Sequence, residues 1–296
     1  MNDNNPFHAG ERAVQERILG PAEARSNERA IGNALPAAAL PYIERLPMAI
    51  IGSRDARGRV WASVVLGTPG FMFAPDVHTV KLDTSKISTS ADDPLWTNVV
   101  DDADVGLLLI DLATRRRLRV NGRMTFTGPT LWALHVAQTY GNCPRYIQRR
   151  ELVVHGGSSP QSTAPAQQGT AMTAYHKELI ARADTLFVAS AHPDHGVDAS
   201  HRGGNPGFVQ VLSDTRLRIP DFPGNNMFNT LGNFHCYPRA GIVIPDFQQH
   251  RLLQLTGTTE IMWHLDRPPE ETNGTQRYWE IECEAWREST MPGESQ

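Results

Sequence analysis

The sequence contains few cysteines and no paired cysteine motif. Its three cysteines, Cys143, Cys236 and Cys283, lie far apart and form no CxxC. A small secreted domain held by disulfides needs an even, closely spaced set of cysteines. The composition therefore excludes a disulfide framework and fits a reducing environment, so we expect a cytoplasmic protein.

The sequence also lacks an excess of basic charge and long apolar runs. It has 28 Lys and Arg against 32 Asp and Glu, a formal net charge of −4. A nucleic-acid-binding face needs clustered basic residues, and a membrane-spanning helix needs ~20 consecutive apolar residues. The first ten residues are polar, without the basic-then-apolar order of a signal peptide. We expect no nucleic-acid or membrane partner, and a small molecule as substrate.

An internal repeat is the most informative feature that is present. The pattern Ala-Ser-(x3)-Gly-(x)-Pro-Gly-Phe begins at Ala62 and again at Ala199. Further along, an Asn, a Gly-led apolar strand, an Asp and a second Gly follow one another over 98–122 and again over 233–257. Chance similarity of apolar strands rarely keeps Gly, Pro, Ser and Asn in register. The chain therefore contains two copies of one module.

The order of elements predicts a mainly β protein with short helices. Short strands at close intervals are typical of a barrel or a sandwich. Residues 156–172 are rich in Gly, Ser, Pro and Gln and predict a flexible linker without a strand. The predicted division is an N-terminal helical segment (1–47), a first copy (48–155), the linker and a second copy (173–296). Helices are predicted over 7–20, 37–45, 94–100, 131–140 and 173–183, with a helical turn over 225–231.

The second copy carries the residues suited to binding an anion. His201 and Arg202 supply a titratable and a fixed donor beside a Gly-rich bend. About twenty residues later, a Pro-Gly turn leads into an Asn-rich helical turn over 225–231, whose backbone N–H groups suit a phosphate. The first copy has Val64-Val65-Leu66 where the second has His201-Arg202-Gly203. One site in each chain is therefore more probable than two.

These segments resemble the FMN-binding split barrel of the pyridoxamine 5′-phosphate oxidase superfamily, in particular its branch of oxidase-related flavin-binding proteins. The resemblance rests on 199–208, 220–225, 231–241 and 252–259, with further signatures at 7–15 and 142–148. It implies two tandem split β-barrels with flavin in the groove between two barrels. Such proteins are typically dimers, so the chain would form the pair internally or would dimerise further as a homodimer.

The resemblance also implies which residues hold the cofactor. The implied cofactor-binding residues are Ser200, His201, Arg202 and Gly203 from a strand, and Asp221, Gly224, Asn225 and Asn226 from a turn. The implied function is that of a flavoprotein oxidoreductase, which passes electrons or hydride between an electron donor or acceptor and a small molecule. The sequence lacks the Arg-x-Leu-Lys and Ser-Arg-Lys runs of the oxidases proper, so vitamin B6 oxidation is not expected. No catalytic acid or base is assigned.

Two other functions are open at this stage. The same fold could carry or sense flavin or haem without turnover, or degrade haem, with His192, His195 or His235 as the axial ligand; cofactor F420 could also replace FMN. Alternatively, the site could have decayed and left a structural role.

Several further residues have a structural and a functional interpretation. His192-(x2)-His195 invites a metal interpretation, but the Pro, Asp and Gly around these residues indicate a loop, so no metal is expected. Cys143 is expected to be a structural thiol, and His8 with Glu11 a helix start. The basic run Arg115-Arg116-Arg117 with Arg119 is expected to be a solvated hairpin turn.

Overall fold

The chain folds into two antiparallel sheets with the same strand order. The computed structural model describes residues 5–20, 28, 30–154, 166–291, 294 and 295. The first sheet contains β1 (Met48–Arg54), β2 (Val60–Leu66), β3 (Met72–Asp76), β4 (Thr79–Asp83), β5 (Ala103–Asp111), β6 (Arg116–Phe126) and β7 (Leu131–Gly141). Its order is β2-β1-β5-β6-β7-β4-β3.

The second sheet repeats this arrangement. It contains β10 (Thr185–His192), β11 (Gly196–Gly203), β12 (Gln210–Val211), β13 (Arg216–Pro220), β14 (Arg239–Asp246), β15 (Arg251–Met262) and β16 (Tyr278–Thr290). Its order, β11-β10-β14-β15-β16-β13-β12, is that of the first sheet. The fold is mainly β and comprises two tandem split barrels, as predicted. Two short strands, β8 (Leu152–Val153) and β17 (Glu294–Ser295), pair with each other.

The two halves pack through a shared apolar core. Ile50 and Val64 of the first half lie in one cluster with Phe187 and Val243 of the second. Strand β2 is buried along its whole length because one face meets its own barrel and the other meets the second half. Such strands have near-continuous apolar sequences. The chain thus forms an internal pair of barrels.

Two repeated glycines allow the halves to come close. A Cβ atom at Gly106 would lie 2.6 Å from the Cα of Asp198, and one at Gly241 would lie 2.5 Å from the Cα of Trp61. Each glycine thus lets its strand touch the backbone of the other half. Because the two contacts are equivalent in the repeat, the halves face each other with approximate two-fold symmetry.

Five α-helices flank the sheets in the part of the chain that is described. They are α1 (Ala9–Leu19), α2 (Leu40–Arg45), α3 (Leu95–Asn98), α4 (Ala174–Arg182) and α5 (Asn229–Cys236). Short 3₁₀ turns cover Ala37–Ala39, Thr84–Lys86 and Pro269–Thr272. The helices predicted over 7–20, 37–45, 94–100 and 173–183 are present, although 37–45 begins as a 3₁₀ turn. None of the described helices is long and apolar enough to cross a membrane.

Two of the predictions for local structure are wrong. Residues 131–140 form strand β7 rather than a helix, because β7 lies between β6 and β4 and exchanges hydrogen bonds with both. Sheet pairing there overrides the helix propensity of its Ala, Leu and Gln residues. The linker was expected to contain no strand, yet Gln167–Gly169 form β9, which pairs with β16. Most of the linker, residues 156–165, lies outside the described residues.

Helix α1 belongs to the second half, although it precedes the first. Val14 is buried in the core of the second barrel. The helix crosses α5 at Gly10 and Gly232, where a Cβ atom on Gly232 would lie 2.5 Å from the Cγ of Glu11. This close crossing places His8 and Glu11 beside α5.

Candidate functional site

One cleft lies between the two halves of the chain. The second half contributes the end of β11, the turn over 221–228 and the first turn of α5. The first half contributes β6 and the segment over 142–146 that follows β7.

Most of the predicted cofactor-binding residues lie together on the walls of this cleft. Seven of the eight line it: His201, Arg202, Gly203, Asp221, Gly224, Asn225 and Asn226. Ser200 lies behind the wall, where its hydroxyl pairs with the hydroxyl of Thr230 at 3.2 Å. Thr230 itself lines the cleft.

The first half adds two arginines that the sequence interpretation did not place. Arg115 and Arg116 are exposed at the hairpin turn, as predicted, but Arg117 and Arg119 line the cleft. The prediction of a solvated run is therefore wrong for these two. The reason is the two-residue period of a strand: β6 begins within the run and directs alternate residues to one face, while Leu118 enters the barrel core.

The cleft carries more positive than negative charge. Four arginines line it, Arg117, Arg119, Arg145 and Arg202, against one carboxylate, that of Asp221. Arg119 lies 3.3 Å from Asp198, and Asp221 pairs with Arg277 at 3.0 Å.

Arg117 and Arg202 belong to none of the ion pairs among the described residues. Burial and the neighbouring Arg119 and Arg202 guanidiniums lower the pKa of Arg117 to about 9. Burial likewise lowers the pKa of Arg202. Because neighbouring like charges destabilise one another, an anion bound between these arginines would relieve their repulsion.

Several buried polar atoms of the cleft have no hydrogen-bond partner. They include the Nε atoms of Arg117 and Arg202, Nδ2 of Asn225, Nε2 of His201 and Oδ1 of Asn142. An unsatisfied buried polar atom costs about 1–3 kcal/mol, so a ligand or an ordered water that bonds to these atoms would be stabilised in the cleft.

The N-terminus of α5 adds backbone donors to the same wall. Its N-cap residue, Phe228, has a positive φ of 55° and makes no side-chain capping bond. The first N–H groups of a helix have no partner within the helix, and Asn229, Thr230 and Leu231 of this first turn line the cleft. An uncapped helix N-terminus beside unpaired arginines is suited to a phosphate.

The hydrogen bond of His201 determines its tautomer. Nη1 of Arg117 lies 3.2 Å from Nδ1 of His201. A guanidinium only donates, so Nδ1 accepts and the ring proton lies on Nε2. Burial lowers the pKa of His201 well below its usual range and keeps the ring neutral. His201 therefore offers an N–H donor to a ligand rather than a lone pair to a metal ion.

The equivalent groove of the first half has different polar side chains. In the repeat, Leu252 and Gln254 occupy the positions of Arg117 and Arg119. Nε2 of Gln254 donates to the carbonyl of Ala62 at 3.0 Å, although its Oε1 has no partner, and Ser63 donates to buried Asp93 at 2.5 Å. This groove therefore lacks the two arginines that β6 brings to the cleft.

A cluster of histidines lies outside the cleft, against α1. Ligand atoms of His8, His192 and Cys236 lie within 4.8 Å of one another, and the ring of His195 lies 4.6 Å from that of His192. His192, His195 and His235 are not among the described residues that line the cleft.

Hydrogen bonds hold this cluster in a tautomer that opposes metal binding. Nδ1 of His8 accepts from the N–H of Gly10, and Nε2 lies 2.9 Å from Oδ1 of Asn233. Nδ1 of His192 accepts from the N–H of Asp194 at 3.1 Å. Both rings therefore carry their proton on Nε2, and a metal ion would have to break one of these bonds.

His8 and Glu11 form the helix start that the sequence predicts. His8 is the N-cap of α1, and Glu11 completes a capping box by accepting from the N–H of His8 at 2.9 Å. The other carboxylate oxygen of Glu11 accepts from Nδ2 of Asn229 at 2.5 Å. Helix α1 therefore contacts a residue of the cleft wall. Cys143 contributes its carbonyl, which accepts from Arg117 at 2.6 Å.

Three solved structures with a similar fold each cover about two fifths of the chain. No family model and no curated protein matches it. Among solved structures, a FAD-binding protein from Mesorhizobium loti is 13% identical and covers 42% of this chain and 99% of its own, with a TM-score of 0.30. The heme storage protein HutZ from Vibrio cholerae is 11% identical and covers 41% of this chain and 97% of its own, with a TM-score of 0.30.

A Lactobacillus delbrueckii protein provisionally assigned as a pyridoxamine 5′-phosphate oxidase is also similar. It is 12% identical and covers 42% of this chain and 98% of its own, with a TM-score of 0.34. Identities at this level concern the fold alone, and each match spans about the length of one copy. In its fold, the chain is a tandem of two antiparallel split barrels with the same strand order.

Proposed function

We propose that this protein binds one FMN without a covalent bond in the cleft and acts as an oxidoreductase on a small molecule. The observation that carries the proposal is the set of buried, unpartnered donors of Arg117, Arg202 and Asn225 around the uncapped N-terminus of α5. A phosphate monoester would satisfy these donors and neutralise the arginines.

The residues present fit the cofactor in both of its parts. Arg117, Arg202, Asn225 and the first turn of α5 would hold the phosphate. Asn142 Oδ1 and the Nε2–H of His201 are an acceptor and a donor suited to the polar edge of the flavin ring. When bound, FMN supplies the hydride or electron transfer itself; the protein binds and orients it and excludes water.

Haem is the less favoured cofactor for this cleft. His201 is the one histidine among the residues that line it, and the Arg117 hydrogen bond leaves its proton on Nε2. An imidazole needs a free lone pair to bind iron. Binding or sensing of FMN without turnover uses the same donors and is distinguished from catalysis by an activity assay.

Titration with FMN, followed by quenching of its fluorescence, tests the proposal. We expect Arg202→Ala to weaken FMN binding about 10- to 100-fold, because a hydrogen bond to a charged group contributes about 1.5–3 kcal/mol. Lys86→Ala is the control, since Lys86 is an exposed cation of the first half, paired with Asp83. Equal effects of the two substitutions, or no FMN binding by the unaltered protein, would overturn the proposal.

A further inference from the structure

A second cavity, the outer cavity, adjoins the cleft and has about 900 Å³ of empty space. Tyr146 and Phe222 line both spaces. Their rings stack with centroids 4.9 Å apart and planes inclined by 21°. The two rings therefore form a shared aromatic wall, with one ring contributed by each half of the chain.

The backbone at Tyr146 is held in an unusual conformation. Its φ of 67° lies in the left-handed region, which is uncommon for a residue with a large side chain. Its carbonyl oxygen approaches so closely that a Cβ atom at Gly203 would lie 2.1 Å from it, and its hydroxyl accepts from Nδ2 of Asn273 at 3.3 Å. Contacts at both ends hold the ring in place, and strain of this kind is concentrated at binding sites.

The outer cavity differs from the cleft in charge. None of the described residues that line it is basic, whereas four arginines line the cleft. Its charged residues are Glu270 and Glu271. Glu271 accepts hydrogen bonds from Arg267, Gln210 and Tyr278 at 2.9–3.1 Å, whereas Glu270 is exposed at the rim. A cation or a neutral ligand is favoured in such a cavity, and an anion is disfavoured.

We infer that the outer cavity is a second binding site, which takes a flat aromatic ring that is neutral or positively charged. Aromatic rings stack on one another at separations of 4.5–7 Å, and a cationic ring gains further attraction from the π-face of Tyr146 or Phe222. The inference rests on the proposed function in one respect: if FMN occupies the cleft, this ring belongs to its substrate or electron partner.

Two probes of one size and opposite charge test the site. 1-Methylnicotinamide is a cationic flat ring, and nicotinate is an anionic one. We expect calorimetric titration of the full chain, with FMN or inorganic phosphate added to occupy the cleft, to show 1-methylnicotinamide binding at least tenfold more tightly than nicotinate. Equal affinities, or tighter binding of nicotinate, would overturn the inference.

Two substitutions locate the binding. Glu270→Gln alters the outer cavity alone and should weaken 1-methylnicotinamide binding about threefold while leaving the FMN affinity unchanged. Phe222→Leu should weaken it about fivefold or more. Phe126→Leu is the matched control, because Phe126 is an exposed ring stacked on Trp132. An affinity for 1-methylnicotinamide that neither Glu270→Gln nor Phe222→Leu changes would contradict binding in the outer cavity.

Failure of this inference is distinguishable from failure of the proposed function. Normal FMN binding without a preference for the cationic probe would remove the outer site and leave the flavin proposal intact. If the protein does not bind FMN but binds 1-methylnicotinamide, and Glu270→Gln weakens that binding, the outer site stands and the flavin proposal fails.

Discussion

At the residue scale, pairing separates the arginines of the cleft into two kinds. Arg119 is buried and bonded to Tyr140, Asn229 and Asp198, so it maintains the wall. Arg117 and Arg202 have no carboxylate partner among the described ion pairs, although all three arginines keep an unpartnered Nε. These two can change partners when an anion enters, because no existing ion pair has to be broken.

Arg117 allows a matched comparison within one basic run. We expect Arg117→Ala to weaken FMN binding about 10- to 100-fold, because it removes a charged donor from a buried site. Arg116→Ala should change the affinity less than twofold, since Arg116 is exposed and lies over the ring of Tyr42. Fluorescence titration of the two variants measures the difference. An effect as large for Arg116→Ala would contradict the assignment.

The cleft residues of the second half could be located from the sequence, whereas Arg117 and Arg119 of strand β6 could not. His201, Arg202 and the turn over 221–226 carry local turn and Gly-rich signals, and the structure brings them to one cleft. Arg117 and Arg119 lie in a basic run whose sequence does not show where the turn ends and the strand begins. Their contact with the second half depends on the packing of two sheets, which no local pattern encodes.

At the element scale, α1 contacts the cleft wall through the buried carboxyl group of Glu11, which accepts a hydrogen bond from Asn229. Burial raises the pKa of Glu11 from 4.5 to about 7. A carboxyl group with a raised folded-state pKa contributes stability at low pH that is lost as pH rises through that pKa. His8 acts in a different range, because burial lowers its pKa to about 4 and its contribution is lost as pH falls below 6.5. The contribution of His8 opposes that of Glu11 near pH 6, but it is common to the unaltered protein and Glu11→Gln, so a comparison of the two isolates Glu11.

This difference in range gives a prediction for Glu11→Gln. Between pH 6 and pH 8, the free energy of unfolding of the unaltered protein should fall by about 1 kcal/mol more than that of Glu11→Gln. The amide keeps an oxygen for Asn229 but cannot ionise. Urea denaturation at both pH values measures the difference. Parallel pH dependences in the two proteins would show that Glu11 does not ionise in this range.

The packing of β5 on the second half gives a further prediction at this scale. Gly106→Ala should lower the free energy of unfolding by about 1–3 kcal/mol, because its Cβ would meet the backbone of Asp198. Gly141→Ala is the control, since no atom lies within 4 Å of a Cβ at that position. It should change stability by less than about 0.5 kcal/mol. Similar urea midpoints for the two variants would contradict the close contact of the sheets.

The sequence predicts strands and helices correctly where a local residue pattern determines them. The repeat, most strands and the capped helices α1 and α4 follow from spacing, turn residues and N-caps. The sequence predicts a helix over 131–140 because its Ala, Leu and Gln residues favour helices. Only pairing with β4 and β6 makes this segment the strand β7. The short strand β9 has no apolar pattern and depends entirely on pairing with β16.

At the scale of the whole molecule, the duplication builds a pair of barrels within one chain. The shared core and the equivalent contacts of Gly106 and Gly241 make the pair nearly symmetric. Its two grooves are not equivalent, because Arg117, Arg119 and Arg202 line one, while Leu252, Gln254 and Val65 occupy the equivalent positions of the other. We therefore expect one cofactor in each chain, whatever the oligomeric state.

The stoichiometry of FMN tests whether one or both of the two grooves bind the cofactor. The protein is saturated with FMN, freed of excess ligand and measured by absorbance, with the released flavin identified by chromatography. We expect one FMN in each chain. Two FMN in each chain would contradict the asymmetry of the grooves, and none, or a haem absorbance band in place of the flavin spectrum, would contradict the assignment of the cleft to FMN.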